Sequence, residues 1–224
     1  MLSFFQRLHR FLDRQSFYPL ILASLLAAAI YVARVLISLS LVYELLVWNL
    51  FLAWLPFGFS LITAGLYRLH VKRRWLLIPG LAWLVFFPNA PYLVTDLYHL
   101  EYRPPVPMWF DIGLISIYAF TGLFLAAASL RTMQSLVKAY LGGWVSWLFA
   151  FLTIGLGGLG IYLGRFGRVN SWDLLFHPFR IARQLVAPIL NPLNNLRFFG
   201  FTIMFTAILL VFYLMFVSVS RTEK

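Results

Sequence analysis

"WLLIPGLAWLVFFPNAPYLVTDLYHL", residues Trp75 to Leu100, is apolar over a length that crosses a bilayer, about 20 residues at 1.5 Å each. It is not uniform. Pro88 and Pro91 flank Asn89 and Ala90, and Asp96 and His99 follow. From Trp75 the chain climbs only about 20 Å by Phe87, so the prolines fall near two-thirds depth of a hydrocarbon layer about 30 Å thick. Pro91 has no N–H and disfavours helical geometry at Ala90, whereas Asn89 is a good N-cap. The pattern predicts a third span that breaks near "PNAP" and restarts at Asn89, running through Asp96 to His99. Breaks of this kind persist in bilayers where protein or water satisfies the freed backbone, and they often line sites. A proline kink packed against its neighbours is the alternative.

The rest of the chain supports a membrane setting. Of 224 residues, 62% are hydrophobic and 11% charged, against about 25% charged in soluble domains. Apolar runs recur at Tyr18–Ser38, Glu44–Leu66, Trp75–Leu100, Trp109–Leu130, Leu141–Tyr162 and Phe198–Ser220. The expected fold class is therefore all-α, a polytopic membrane protein of about six transmembrane helices forming a single domain over 18–224. Residues 1–17 precede it as an interfacial segment. There "FFQRLHRFLDR" sets Phe4, Phe5, Leu8, Phe11 and Leu12 on one helical face and Arg7, Arg10 and Arg14 on the other, the pattern of a helix lying on the cytoplasmic leaflet. The apolar run that follows is too long for the h-region of a cleaved signal peptide and reads as a signal anchor. The chain has no cysteine, which excludes disulfide and thiol chemistry without identifying a compartment.

A net charge of +11 would suggest nucleic acid in a soluble protein, but here it sorts by side of the membrane. If six helices alternate, Arg7, Arg10, Arg14, Arg68, Lys72, Arg73, Arg74, Arg131, Lys138, Arg221 and Lys224 fall on one side, which is then cytoplasmic and holds both termini. Glu44, Asp96, Glu101, Asp111 and Asp173, five of the seven carboxylates, fall on the other. Arg165, Arg168, Arg180, Arg183 and Arg197 break the rule by lying outside. Either one basic loop is tolerated, or these arginines bind an anion such as a lipid headgroup, a phosphate or nearby carboxylates.

Ionisable residues at membrane depth are expensive, so clusters facing one interior are functional candidates. Asp96 and His99, three apart, share a helical face and are the candidate catalytic pair, with His99 as acid or base. Asn89, Tyr92, Asp111, Arg165, Arg168, Asn170, Ser171 and Asp173 are the candidate substrate-binding residues, the arginines acting as anion clamp. Asp111 also suits plain capping of its helix dipole. The cluster as a whole also suits an arginine–carboxylate network that staples the outer loops. Asp96, His99, Asp173 and His177 offer a mixed nitrogen and oxygen set for a metal, but they match no motif and the neighbouring arginines oppose a cation, so no metal is assigned. No cofactor is indicated.

Three further features are read as structural. "GLGGLG", Gly155–Gly160, matches the dinucleotide pattern but lacks a preceding strand, whereas Gly160 and Gly164 suit close helix packing. Arg34 is expected to pair with Glu44 across a short outer turn. From Ser171 to Arg197, Asp173, His177, Arg180 and Gln184 recur at helical spacing opposite Trp172, Phe176, Phe179 and Val186. This predicts an amphipathic helix on the outer surface before the last span, ended by Pro188 and Pro192.

"FPNAPYLVTDLYHL", "WFDIGLISIYAFTGL" and "IYLGRFGRVNSWDLLFHP", in this order and spacing, resemble the bacterial integral membrane family known only as domain of unknown function 1361, over about 75–183. Val169 and Gly167 depart from the bulkier, more aromatic residues usual there. The resemblance implies a multi-pass protein of the bacterial inner membrane and transfers no activity.

Two classes of function stay open. In the first, the polar site at the extracytoplasmic face takes an anionic lipid or lipid-linked phosphate, with or without catalysis. In the second, the chain is a non-catalytic membrane scaffold or assembly factor. A transporter is a further option, favoured by the broken helix but not by any evident inverted repeat. The bilayer is the expected partner, nucleic acid is not, and the sequence is silent on oligomeric state.

Overall fold

The computed structural model describes residues 2–219 and is helical, with no strand among those residues. In chain order the helices are α1 (Leu2–Asp13), α2 (Phe17–Ser38), α3 (Glu44–Arg68) and α4 (Arg73–Phe86). A short α5 (Asn89–Tyr92) leads into a 3-10 segment (Leu93–His99). Then come α6 (Met108–Leu141), α7 (Gly143–Gly167), α8 (Asp173–Phe176) and α9 (Pro178–Leu190). A 3-10 turn (Pro192–Asn195) precedes α10 (Leu196–Val219). Six helical stretches among the described residues are long and apolar enough to cross a membrane, with Arg73–His99 as the interrupted one. The expectations for Arg221, Lys224 and the Ser220 end of the last span lie outside the described residues.

α6 is the centre of the bundle, in contact with α2, α3, α5, the 3-10 segment, α7 and α10. It runs 34 residues, about 51 Å, because it stays helical past the apolar run that sequence marks as ending near Leu130. Only Gly142 separates it from α7, and its φ of 88° is one that glycine adopts without steric cost.

Side-chain contacts gather the helix ends into two faces. At one face Arg34 of α2 meets Asp111 of α6, Tyr43 before α3 donates to the His99 carbonyl, and Arg165 of α7 meets the His99 ring. At the other, the Arg68 guanidinium stacks on Phe11, Arg73 stacks on Tyr140, and Thr132 bonds Gln15. These contacts make the helices alternate in direction.

The interruption of the third span is a turn of right-handed backbone. Phe87 (φ −51°, ψ −42°) and Pro88 (φ −62°, ψ −22°) keep helical angles, while the Ala90 N–H bonds Phe87 O, three residues back. Asn89 does not cap a new helix as expected: the cap position falls on Pro88 and carries no side-chain cap bond. Because the backbone there never becomes extended, the Asn89 amide is free to donate to Phe86 O at 3.0 Å and to Ser171 Oγ at 2.8 Å. Small residues admit this turn. A Cβ on Gly160 would lie 2.5 Å from Pro88 Cγ, and one on Gly122 would strike the Ala90 carbonyl. The small-residue face of α7 thus receives the kink itself, with Gly157 against Phe87 and Gly164 against Tyr92.

The segment before the last span is not one helix. α8 and α9 part at His177 (φ −134°, ψ 51°), and Pro188 stays inside α9, which ends at Leu190. Pro188 lacks the N–H that would bond the Gln184 carbonyl, and the helix continues only two residues past it. Phe176 and Phe179 point away from the protein and Ile181 is buried beneath.

Candidate functional site

A cleft of 590 Å³ opens between α3 and α7, floored by α4, α5 and the 3-10 segment. Its lower walls are Leu52, Leu84, Val85 and Leu156. Leu156 stands eleven residues before the end of α7, about 16 Å, so the cleft reaches toward mid-membrane. Leu45, Trp48 and Leu156 on its rim are half or more exposed, and an exposed face on a span faces lipid. Leu174 and Ile181 roof its upper end.

The polar groups collect at that upper end. Of the residues proposed from sequence, Asn89, Tyr92, Asp96, His99, Arg168, Asn170 and Ser171 line the cleft. Asp96 is 2% exposed, and Asn49 Nδ2 donates to its Oδ2 at 2.9 Å. Arg165 Nη1 lies 2.8 Å from His99 Nε2. A guanidinium only donates, so that ring nitrogen is the accepting one. Arg165 also stacks on Tyr98, 4.7 Å from guanidinium carbon to ring centre, and stands behind His99, not on the cleft wall.

Arg168 follows α7 in the left-handed region (φ 49°, ψ 41°), and the Val169 N–H closes back on Leu163 O. The Arg168 N–H closes on the same carbonyl, so the turn is wider than the usual Schellman ending, with arginine at the left-handed position where glycine is common. Among the described residues the Arg168 guanidinium has no hydrogen-bond or ion-pair partner. Elsewhere on this face Arg180 Nη2 donates to Gly167 O at 3.3 Å, Arg197 covers the Phe166 ring at 4.0 Å, and Arg183 is exposed away from the cleft lining.

Besides Arg165, two proposed residues sit apart from the cleft lining. Asp111, fully buried, is held by Arg34, Nε to Oδ1 2.9 Å and Nη2 to Oδ2 3.3 Å. Arg34 therefore pairs with Asp111 and not with Glu44, because α2 and α6 pack side by side. Asp173 serves its own loop. The Asn170 N–H donates to Oδ2 at 2.8 Å and His177 Nδ1 lies 3.4 Å from Oδ1. The Asn170 amide foremost, with His177 assisting, holds the Asp173 carboxyl below the usual carboxylate range. Asp96, His99 and the Asp173–His177 pair thus have separate partners, and among the described residues no three His, Asp or Glu gather as a metal group.

Asn49 is the cleft residue that sequence reasoning passes over. Its signal was present, since it is the one amide in the apolar helix α3, and a polar side chain within a span calls for a partner.

A family model described as "Protein of unknown function (DUF1361)" matches residues 48–212, a range containing every residue lining the cleft except Leu45. No curated protein and no solved structure matches the chain.

Proposed function

The chain belongs to the DUF1361 family, whose description assigns no activity, and from that premise we propose that the cleft binds an anionic lipid or lipid-linked phosphate. One observation carries the reading: Arg168, without a partner among the described residues, stands at the polar end of an otherwise apolar cleft of 590 Å³. That volume suits one small ligand. A free guanidinium above apolar walls suits a phosphate with a hydrocarbon chain below it. Asn89, Tyr92, Asn170 and Ser171 border the same end. Asp96 and His99 enter as ligand-contacting groups. Arg165 occupies the accepting nitrogen of His99, so binding, and not acid–base turnover, is the activity proposed.

We place this face on the extracytoplasmic side of a bacterial inner membrane with both termini cytoplasmic. Arg68, Lys72, Arg73, Arg74 and Lys138 lie at the opposite end of the bundle, where excess basic charge marks the inside. Residues 1–17 then lie along the cytoplasmic leaflet, and α9 along the outer one. A scaffold role is the second reading, supported by the Arg34–Asp111 pair and the Tyr43–His99 bond, which tie helix ends of this face to one another.

The test is retention of lipid through purification. Wild type extracted from bacterial membranes is expected to carry a bound phosphate-bearing lipid, of one chain or two, by native mass spectrometry, and Arg168→Ala to lose most of it while melting as the wild type does. Equal lipid on both proteins, or none on either, rejects the binding reading in favour of the scaffold.

A further inference from the structure

Asp96 marks a second recognition point in the cleft. Asn49 donates to Oδ2, whereas Oδ1 has no hydrogen-bond partner among the described residues, and the side chain lines the cavity. No Lys or Arg comes within ion-pair distance of the carboxyl among those residues. An acceptor that is nine-tenths buried and open only to the cleft calls for a donor from whatever occupies it.

Its depth restricts that donor. Asp96 precedes His99 by three residues of 3-10 helix, about 6 Å. Its partner Asn49 stands five residues inside the start of α3, about 7.5 Å. Arg168 lies beyond Arg165, whose guanidinium meets His99, and so marks the mouth. A lipid whose phosphate meets Arg168 brings its glycerol backbone, not its headgroup, down toward Asp96. Diacyl lipids offer only ester oxygens at that level, so acceptor would face acceptor and neither would be satisfied.

We infer that the cleft selects a phosphate-bearing single-chain amphiphile with a free hydroxyl on its backbone, as in a lysophospholipid, Asp96 accepting from the hydroxyl and Arg168 holding the phosphate. This rests on the lipid-binding reading above. The apolar walls at Leu52, Leu84, Val85 and Leu156 take the one chain. Asn49 positions the carboxyl by fixing its other oxygen.

The experiment titrates full-length protein in non-ionic detergent with lysophosphatidic acid, with its 2-O-methyl ether and with diacyl phosphatidic acid, so that the only hydroxyl outside the phosphate is the one in question. Wild type is expected to bind lysophosphatidic acid about tenfold or more tightly than the methyl ether, the value of one hydrogen bond to a charged acceptor. That ratio falls to near one in Asp96→Ala. It persists in Arg168→Ala, where both affinities drop together. Should Asp96→Ala fail to accumulate, the wild-type ratio still decides. Equal wild-type affinity for lysophosphatidic acid and its methyl ether overturns the hydroxyl inference and leaves lipid binding standing. Binding of none of the three removes the lipid reading itself.

Discussion

Arg34 and Asp111, separated by 77 residues in sequence, meet as a two-point ion pair with 2.9 Å between Nε and Oδ1 and each side chain 1% exposed. Ser38 Oγ accepts from Arg34 Nη1 at 3.1 Å, and the Tyr43 ring lies 4.9 Å below the guanidinium. Removing one partner strands the other charge. Asp111→Ala is expected to cost about 3–5 kcal/mol, whereas the double change Arg34→Leu with Asp111→Leu costs less than either single change. Melting in detergent measures both, and a double variant as unstable as the sum of the singles would show the pair to be uncoupled.

The kink depends on the absence of a side chain at Gly160. Gly160→Ala drives a methyl group into the Pro88 ring and is expected to destabilise by about 1–3 kcal/mol. Gly155→Ala, in the same helix with open space around it, should be neutral or slightly stabilising, since alanine favours helix. Equal melting temperatures for the two variants would mean that the contact at Pro88 relaxes freely.

Topology is open to labelling because the chain has no cysteine. Glu101→Cys should react with an impermeant maleimide on intact cells and Lys138→Cys only after permeabilisation. The reverse pattern would invert the orientation and move the cleft to the cytoplasmic leaflet.

The Asn170–Asp173 loop has a defined acid sensitivity. The folded state depresses the Asp173 pKa, so the stabilisation is present above the unfolded value, about 3.9, and is lost as pH falls through the folded one. The melting difference between wild type and Asp173→Asn should be full near neutral pH and shrink below about pH 4. A difference that grows on acidification would contradict the sign.

What the sequence made legible follows from which forces act locally. Apolar run length gave the spans, because burying about 20 residues of helix in hydrocarbon depends on composition alone. It missed where α6 ends, since Arg131 to Leu141 leave the apolar run without leaving the helix. Charge pairing was harder to read. Glu44 lies close to Arg34 in sequence, and only the packing of α2 on α6 brings Asp111 to it. At Asn89, capping requires the cap residue itself to leave helical angles, but the Gly122 and Gly160 surfaces admit a compact right-handed turn that keeps Asn89 inside α5. The candidate residues gather at one face of the bundle as alternation requires, but which of them share a wall is set by side-chain direction.

Arg168 combines two opposing demands in one position. Its left-handed backbone costs a residue with a Cβ roughly 1 kcal/mol that glycine would avoid. Arg168→Gly should therefore raise the melting temperature while removing the one unengaged guanidinium among the described residues at the cleft mouth. A substitution that improves the fold and empties the site would separate fitness from stability at a single codon, and selection for robustness alone would discard this arginine.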